Sequence, residues 1–540
     1  MPQSSRLTAP PPAAERPWWL VLLPLASVPL LWFAWHPVDQ GWLAYVALSP
    51  WFAFLILETR VRRACSMTFW TWFLFFTLGM NWLRYTTDAA FLAISAILAL
   101  EMFAFAWFAR RWLARRNDAW AWLAVGVAFI GWEYLRTYLM GGYPWFLLGH
   151  TQHAYLPLIQ AADLGGVPLV GLPAALLSAV LGGALARLIA RLPLGGDLAR
   201  AVCVPAALLT ALSGYGIWRL HTLRPTTALN VGIVQANIPQ SVKDDARLNE
   251  DGPWEMFEKH EALTRQIRQS SDLICWAETM YSWPITPKYP RNEAGLRTLA
   301  RKTGRPMLVG VVLVEQDGRQ YNSSLLVDAD GEIRGRYDKR HLVIVAEAMP
   351  FRKTAPWLMT LFEKITRLRG FGSMEHGERL DVMEARGRRF GTLICFDSMW
   401  SDEARSYARD GAEFLCCLSN DGWFHESEQL DQILAATKFR CIENRMGMAR
   451  CTNTGISAYI GADGRVKEFA VGGRVKSVAG ATVAGVDGRA GNTLFTAWGE
   501  WVGMSCLAFV GILAFFGPRK SPPSPAESQS PPPASIPENA

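Results

Sequence analysis

The feature that most constrains this chain is a series of apolar stretches too long and too numerous for one soluble core. They run over residues 18–35, 42–57, 65–83, 90–109, 119–140, 167–187 and 200–218, with a last one at 500–517. A helix rises about 1.5 Å per residue, so about 20 apolar residues cross a hydrocarbon layer about 30 Å thick. A soluble chain of this length would carry more charge than the 19% of Asp, Glu, Lys and Arg found here. The stretches therefore read as membrane spans, 42–57 and 500–517 being short ones. The first has two prolines and no small-residue cleavage site, so it reads as a retained span and not a signal peptide.

The loops between the stretches alternate in charge. Arg6 and Arg16, then Arg60, Arg62 and Arg63, then Arg110, Arg111, Arg115 and Arg116, then Arg187, Arg191 and Arg200, and finally Arg519 with Lys520 mark one side. The opposite loops are nearly bare: 36–41 and 141–163 have no Lys or Arg, and the loop between them has Arg84. Basic loops stay in the cytoplasm, so both termini are expected there, with the large polar segment outside. The net charge of +7 needs no nucleic-acid partner, because much of it lies in these loops, where it suits an anionic lipid surface. The expected layout is a disordered tail (1–17), a seven-span region (18–220), a large polar domain (221–498), an eighth helix (499–518) and a disordered cytoplasmic tail (519–540), the tails being rich in Pro and Ser.

From 229 to 497 the sequence changes to mixed polar and apolar text. Runs at Leu229–Val234, Asp272–Trp276, Met307–Val314, Leu325–Val327, Arg389–Phe396 and Phe414–Leu418 fit buried strands. Helical periodicity appears over Trp254–Gln269, Glu293–Thr303, Ser401–Asp410 and Gln429–Glu443. Alternation of the two predicts an α/β layered domain. Turns at Asp317-Gly318 and Ala462-Asp463-Gly464 predict hairpins, hence a mixed sheet. No phosphate-binding Gly loop, zinc-ligand spacing or G-x-S-x-G elbow occurs. The adjacent Cys416 and Cys417 are not a redox C-x-x-C, and the domain's cysteines sit in apolar patterns that suit buried free thiols.

Three strand ends carry reactive side chains: Glu278 after Leu273–Trp276, Lys339 in Tyr337-Asp338-Lys339-Arg340-His341, and Cys395 closing Gly391–Ile394. Each alone also fits a solvated carboxylate, a surface charge and a core thiol. Together they have the chemistry of nucleophilic catalysis. A thiol of ordinary pKa, about 8.5, needs a base, which a carboxylate supplies, and a lysine stabilises both thiolate and oxyanion. No histidine of the domain (His260, His341, His376, His425) has a context pointing to the cysteine.

In that order and context, Glu278, Lys339 and Cys395 resemble the Glu-Lys-Cys triad of the nitrilase, or carbon–nitrogen hydrolase, superfamily. More narrowly, the chain resembles the bacterial apolipoprotein N-acyltransferases. The resemblance rests on Asn81-Trp82, Gly142–Trp145, Asp163–Gly166, Val234–Gln240, Tyr321–Ser323, Ser419–Phe424 and Thr452–Gly455. It implies a membrane α-helical bundle of about eight spans plus an extracytoplasmic α-β-β-α sandwich. It further implies that Cys395 takes an acyl chain from a phospholipid as a thioester, with Glu278 as base and acid and Lys339 at the oxyanion. Glu347, Asn322, Phe396 and Asp397 are implied as supporting residues. The acceptor would be the α-amine of a diacylglyceryl-cysteine at an apolipoprotein N-terminus, in the bacterial inner membrane. No metal or cofactor is implied, since the phospholipid supplies activated acyl.

The chain departs from the family pattern in three places. Leu342–Glu347 reads L-V-I-V-A-E where L-V-P-F-G-E is usual, Phe396-Asp397 stands for Tyr-Glu, and Asp244 follows Lys243 where tryptophan is common. A membrane-tethered amidase, or an acyltransferase with another donor or acceptor, fits the same residues, as does a binding relative without turnover. Over Pro350–Phe371, Trp357, Leu358, Leu361 and Phe362 have amphipathic spacing, with Lys353, Lys364 and Arg367 at the flanks. That segment fits a lipid-facing entrance or a helix packed on the domain's own core.

Overall fold

The structure, a computed structural model, describes residues 17–87, 90–245, 252–343, 347–348, 357 and 373–516. The tails lie outside the described residues, as do Ile344–Ala346 and the segment Pro350–Phe371 apart from the exposed Trp357. Apolar sequence becomes helix throughout the first part: α1 (Trp18–Ala34), α2 (Gly41–Leu57), α3 (Val61–Gly79), α4 (Ala90–Leu113), α5 (Ala119–Tyr138), α6 (Ala162–Ile189) and α7 (Gly196–Thr222). Local signals set some ends: the Asp118 side chain accepts from the Ala121 amide and caps α5 at 2.9 Å. Among the described residues, Phe91–Leu113, α6 and α7 are long and apolar enough to cross a membrane, while α1, α2 and Trp501–Phe515 are shorter apolar helices. The remaining two, α3 and α5, carry charge within them: Arg62 and Arg63, and Glu133 and Arg136.

The second part is an α/β domain of two six-stranded sheets. Its strands are β1 (Thr227–Gln235), β2 (Leu273–Trp276), β3 (Met307–Val314), β4 (Gln320–Val327), β5 (Ile333–Asp338), β6 (Met383–Ala385), β7 (Arg388–Ile394), β8 (Phe414–Ser419), β9 (Met448–Thr452), β10 (Ala458–Ile460), β11 (Val466–Glu468) and β12 (Gly480–Asp487). The first sheet runs β12-β1-β2-β3-β4-β5 and the second β11-β10-β9-β8-β7-β6. Parallel triplets β1-β2-β3 and β7-β8-β9 form the centres, and antiparallel hairpins at Asp317-Gly318 and Asp463-Gly464 extend them, so both sheets are mixed.

Period-two alternation sorts the side chains. Val231, Ile233, Leu273, Cys275 and Leu308 meet Phe390, Ile394, Phe414 and Cys416 of the second sheet in one core, the Cys275 and Cys416 sulfurs lying 3.9 Å apart. Their neighbours Val234, Ile274, Trp276, Met307 and Val309 point the other way, onto α8 (Gly252–Ile267) and α9 (Pro290–Thr303). Helices α10 (Ser401–Arg409) and α11 (Gln429–Asn444) lie beside the second sheet, completing the sandwich of layers. The chain closes with α12 (Trp501–Phe516). All nine cysteines are free thiols.

A buried ion pair joins the helical part to the α/β domain. Arg445, just past α11, directs Nε and Nη2 at Asp163 Oδ2 (2.9 and 2.6 Å) and Nη1 at Gln160 Oε1 (2.6 Å). Arg219 Nε and the Tyr215 hydroxyl also donate to Asp163, at 3.0 and 2.8 Å, so its carboxylate is fully partnered out of water. Gly165 and Gly166 break the helix geometry just after it, and Gly166 has φ +71°. A Cβ on Gly166 would meet the Phe495 ring at 2.8 Å. The Asp163–Gly166 motif is thus a clamp followed by a kink. Removing one partner of a buried pair strands the other's charge, at a cost of about 3–5 kcal/mol. Asp163→Ala is accordingly expected to lower the thermal midpoint of the purified protein by several degrees, and an unchanged midpoint would contradict the clamp.

Candidate active site

The ends of β2, β5 and β7 converge at one edge of the sandwich. Glu278 follows β2 and is buried; its Oε2 accepts the Asn420 amide at 2.8 Å, and its Oε1 accepts from Asn322 Nδ2 at 2.6 Å and Lys339 Nζ at 3.1 Å. Lys339 follows β5, is 1% exposed, and lies 2.9 Å from Glu347 Oε2 as well. Asn322, on β4, also reaches Glu347 Oε1 at 2.8 Å, while Glu347 Oε2 accepts the Val343 amide at 2.9 Å. The Asn322 carbonyl takes the Lys339 amide at 2.8 Å, so β4 holds the backbone of that lysine directly and its ammonium through the two carboxylates that Asn322 bridges.

Charge is what makes the cluster work as a unit. Burial opposes the Glu278 carboxylate, but Lys339, Asn322 and the Asn420 amide outweigh it and hold the group below the usual carboxylate range. Burial likewise opposes the Lys339 ammonium, yet Glu278 and Glu347, with smaller help from Cys395 and Asp397, raise it well above an ordinary lysine. Cys395 opens the 3-10 turn after β7 at φ +50°, a left-handed backbone that a non-glycine residue adopts at a cost. Burial first and the Glu278 charge second push its thiol well up, with Lys339 opposing. The resting arrangement is a neutral thiol beside an ionised carboxylate and an ammonium.

Two metal-ligand groupings occur among the described residues, His36/Asp39/His153 and His341/Asp402/Glu403. In each a ring nitrogen is already hydrogen-bonded to a carboxylate at 2.8 Å, and neither includes Glu278, Lys339 or Cys395.

Residues 27–180 match the apolipoprotein N-acyltransferase N-terminal domain and residues 230–484 the carbon–nitrogen hydrolase domain. An apolipoprotein N-acyltransferase of Bordetella bronchiseptica is 30% identical over 559 residues, covering 93% of this chain and 97% of that protein. One of Geobacter metallireducens is 30% identical over 404 residues, 73% of each chain. This chain belongs to the apolipoprotein N-acyltransferase family. An amidase structure from Nesterenkonia sp. is also similar (18% identity, 49% of this chain and 92% of that one), at a TM-score of 0.32 that carries no further conclusion.

Within this member of the N-acyltransferase family, the supporting residues divide. Asn322 and Glu347 join the charge cluster. Phe396 turns instead toward the helical part, stacked on Trp145 of the Gly142–Trp145 motif with centroids 6.5 Å apart. Asp397 faces the domain interior: it accepts the Tyr337 hydroxyl at 2.8 Å, the His341 amide at 2.8 Å and the Ile394 amide at 3.2 Å. Burial and the Glu403 charge raise its carboxyl to about 7. It ties the Cys395 turn to the segment after Lys339. Sequence reasoning had no signal for the Asn420 amide on Glu278, because that contact joins strands of opposite sheets.

Lys339→Met should reveal the balance through its pH dependence. In the native site the Glu278 carboxyl is depressed, so its pairing stabilises above about pH 4.5 and is lost as pH falls. Without the ammonium, burial pushes that carboxyl up, and the variant loses stability as pH rises. The gap between the two proteins should be about 3–5 kcal/mol at pH 7 and narrow toward pH 4, measured by chemical unfolding; a constant gap would contradict it.

Proposed function

We propose that this chain transfers an acyl group from a phospholipid, through a thioester on Cys395, to the α-amine of the N-terminal diacylglyceryl-cysteine of an apolipoprotein. The observation that carries this reading is the buried Lys339, held between Glu278 and Glu347 beside the Cys395 thiol. Glu278 takes the thiol proton as the sulfur attacks the ester carbonyl carbon. The negative oxygen of the tetrahedral intermediate lies against the Lys339 ammonium, a cation already in place and short of water. Collapse breaks the ester C–O bond, Glu278 returns the proton to the leaving lysophospholipid oxygen, and the acyl chain stays on sulfur. The acceptor amine then attacks the thioester; Glu278 takes its proton and returns it to the departing sulfur. Thiol and carboxylate are both restored and the acyl group has passed from oxygen to nitrogen, so no diffusible cofactor enters the balance.

Both substrates keep their chains in a bilayer, and this gives the helical part its use. The apolar helices support placement in the bacterial inner membrane. The alternating arginine loops support about eight spans, with 221–498 on the extracytoplasmic face and both termini (1–17 and 519–540) in the cytoplasm. The clamp of Asp163 on Arg445 then holds the site at the leaflet of its substrates.

The test is made in a host depleted of its own enzyme, with lipoprotein N-termini read by mass spectrometry. Expression of this chain should restore N-acylated lipoproteins, and Cys395→Ala should abolish them. Diacyl-only lipoproteins despite a well-inserted protein would contradict the reading.

A further inference from the structure

Ser419 ends β8 where its parallel ladder with β7 runs out. Ile394 pairs with Leu418, so the next residues, Cys395 and Ser419, leave the two strands side by side. The Ser419 hydroxyl donates to Asp421 Oδ1 at 2.7 Å, and the Cys395 thiol beside it is a second acceptor that the same hydroxyl favours as a thiolate. A hydroxyl has one proton, so Ser419 donates to one of these acceptors at a time. Beside a neutral thiol, the Asp421 carboxylate is the stronger acceptor. Beside a thiolate, the sulfur competes as a full anion.

Asp421 can give up that hydrogen bond because it has a second partner. Its Oδ2 accepts from Arg450 Nη2 at 3.0 Å, and both side chains are fully buried. Arg450 stands on β9 opposite Cys417 in the ladder, and its Nη1 lies 3.4 Å from the Cys417 sulfur. Gly455 keeps room for the carboxylate, since a Cβ there would come within 2.1 Å of Asp421 Oδ2. Two motifs, Ser419–Gly422 and Thr452–Gly455, are thereby explained by one buried pair. A pair of this kind adds little net stability, because desolvation offsets its attraction. Its place behind the nucleophile gives it a different use. The same short segment also presents the Asn420 amide to Glu278, so nucleophile and base are set by one piece of backbone.

We propose that Ser419 is a further catalytic residue, whose hydroxyl turns from Asp421 to the Cys395 sulfur when the thiolate forms, and that Asp421 and Arg450 are its positioning residues. The step breaks no covalent bond at Ser419: Glu278 takes the thiol proton, and the serine proton stays on its oxygen while changing acceptor. The same turn recurs when the thioester is cleaved and sulfur leaves as an anion. The proposal rests on the acyl-transfer reading of Cys395.

The test uses the full-length protein in detergent or lipid nanodiscs, with iodoacetamide alkylation of Cys395 followed by peptide mass spectrometry across pH. A hydrogen bond to a charged group is lost in Ser419→Ala, so the alkylation midpoint should rise by about one pH unit, with alkylation about tenfold slower at pH 7. Ser419→Thr should keep the native midpoint. An unshifted midpoint in Ser419→Ala would overturn the proposal, as would a shift in Ser419→Thr equal to that of alanine, which marks packing alone. Should the alanine variant not accumulate, Thr and Val at this position, nearly equal in shape, give the same comparison, and equal midpoints for that pair overturn the proposal. Iodoacetamide needs neither lipid nor lipoprotein, so failure here is distinct from failure of acyl transfer in cells.

Discussion

An ammonium group removed from water stays charged only where carboxylates surround it, and Lys339 meets that condition by holding Glu278 and Glu347 together. Each of those carboxylates is buried or nearly so, and each needs the lysine in turn. The mutual dependence fixes the segment after β2, the segment after β5 and Glu347 relative to one another. Asn322 bridges both carboxylates from β4 and makes the arrangement rigid. A thiol delivered to this cluster meets a carboxylate and a cation already in position.

Delivery of that thiol is the task of the second sheet. β7 ends in a left-handed turn at Cys395, and Asp397 anchors the turn to Tyr337, to the His341 amide and to the end of β7 itself. Phe396 looks the other way, to Trp145, so one short turn joins the charge cluster to the helical part. The Arg445–Asp163 pair fixes that relation some distance away, with Phe439 and Ile442 of α11 buried against Ile159, Val167 and Val170.

Much of this was legible in the chain. The apolar runs became helices and the β-branched runs became strands within a few residues, because both depend on local pattern. Span six was expected from 167, and α6 begins at Ala162 only because the kink at Gly165 and Gly166 lies inside it. Glu278, Lys339, Cys395, Asn322 and Glu347 were identifiable as residues at strand ends or in motifs, and the fold brings them together. Asp397 was grouped with them, yet its carboxylate turns to the interior, a difference that side-chain direction decides and residue type does not. The roles of Asn420 and Arg450 were hidden because they arise between strands distant in sequence, from β8 to β2 across the two sheets and from β9 to β8 within the second. No local signal marks Arg445 in the sequence, since its partner Asp163 lies 282 positions away.

The central claim is that Cys395 carries the acyl group, and it is tested most directly by incubating the purified chain with phospholipid and sequencing its peptides by mass spectrometry. The account predicts a long-chain acyl adduct on Cys395, removable by neutral hydroxylamine as a thioester is. An unmodified Cys395 in well-folded protein, or an adduct on another residue, would contradict it.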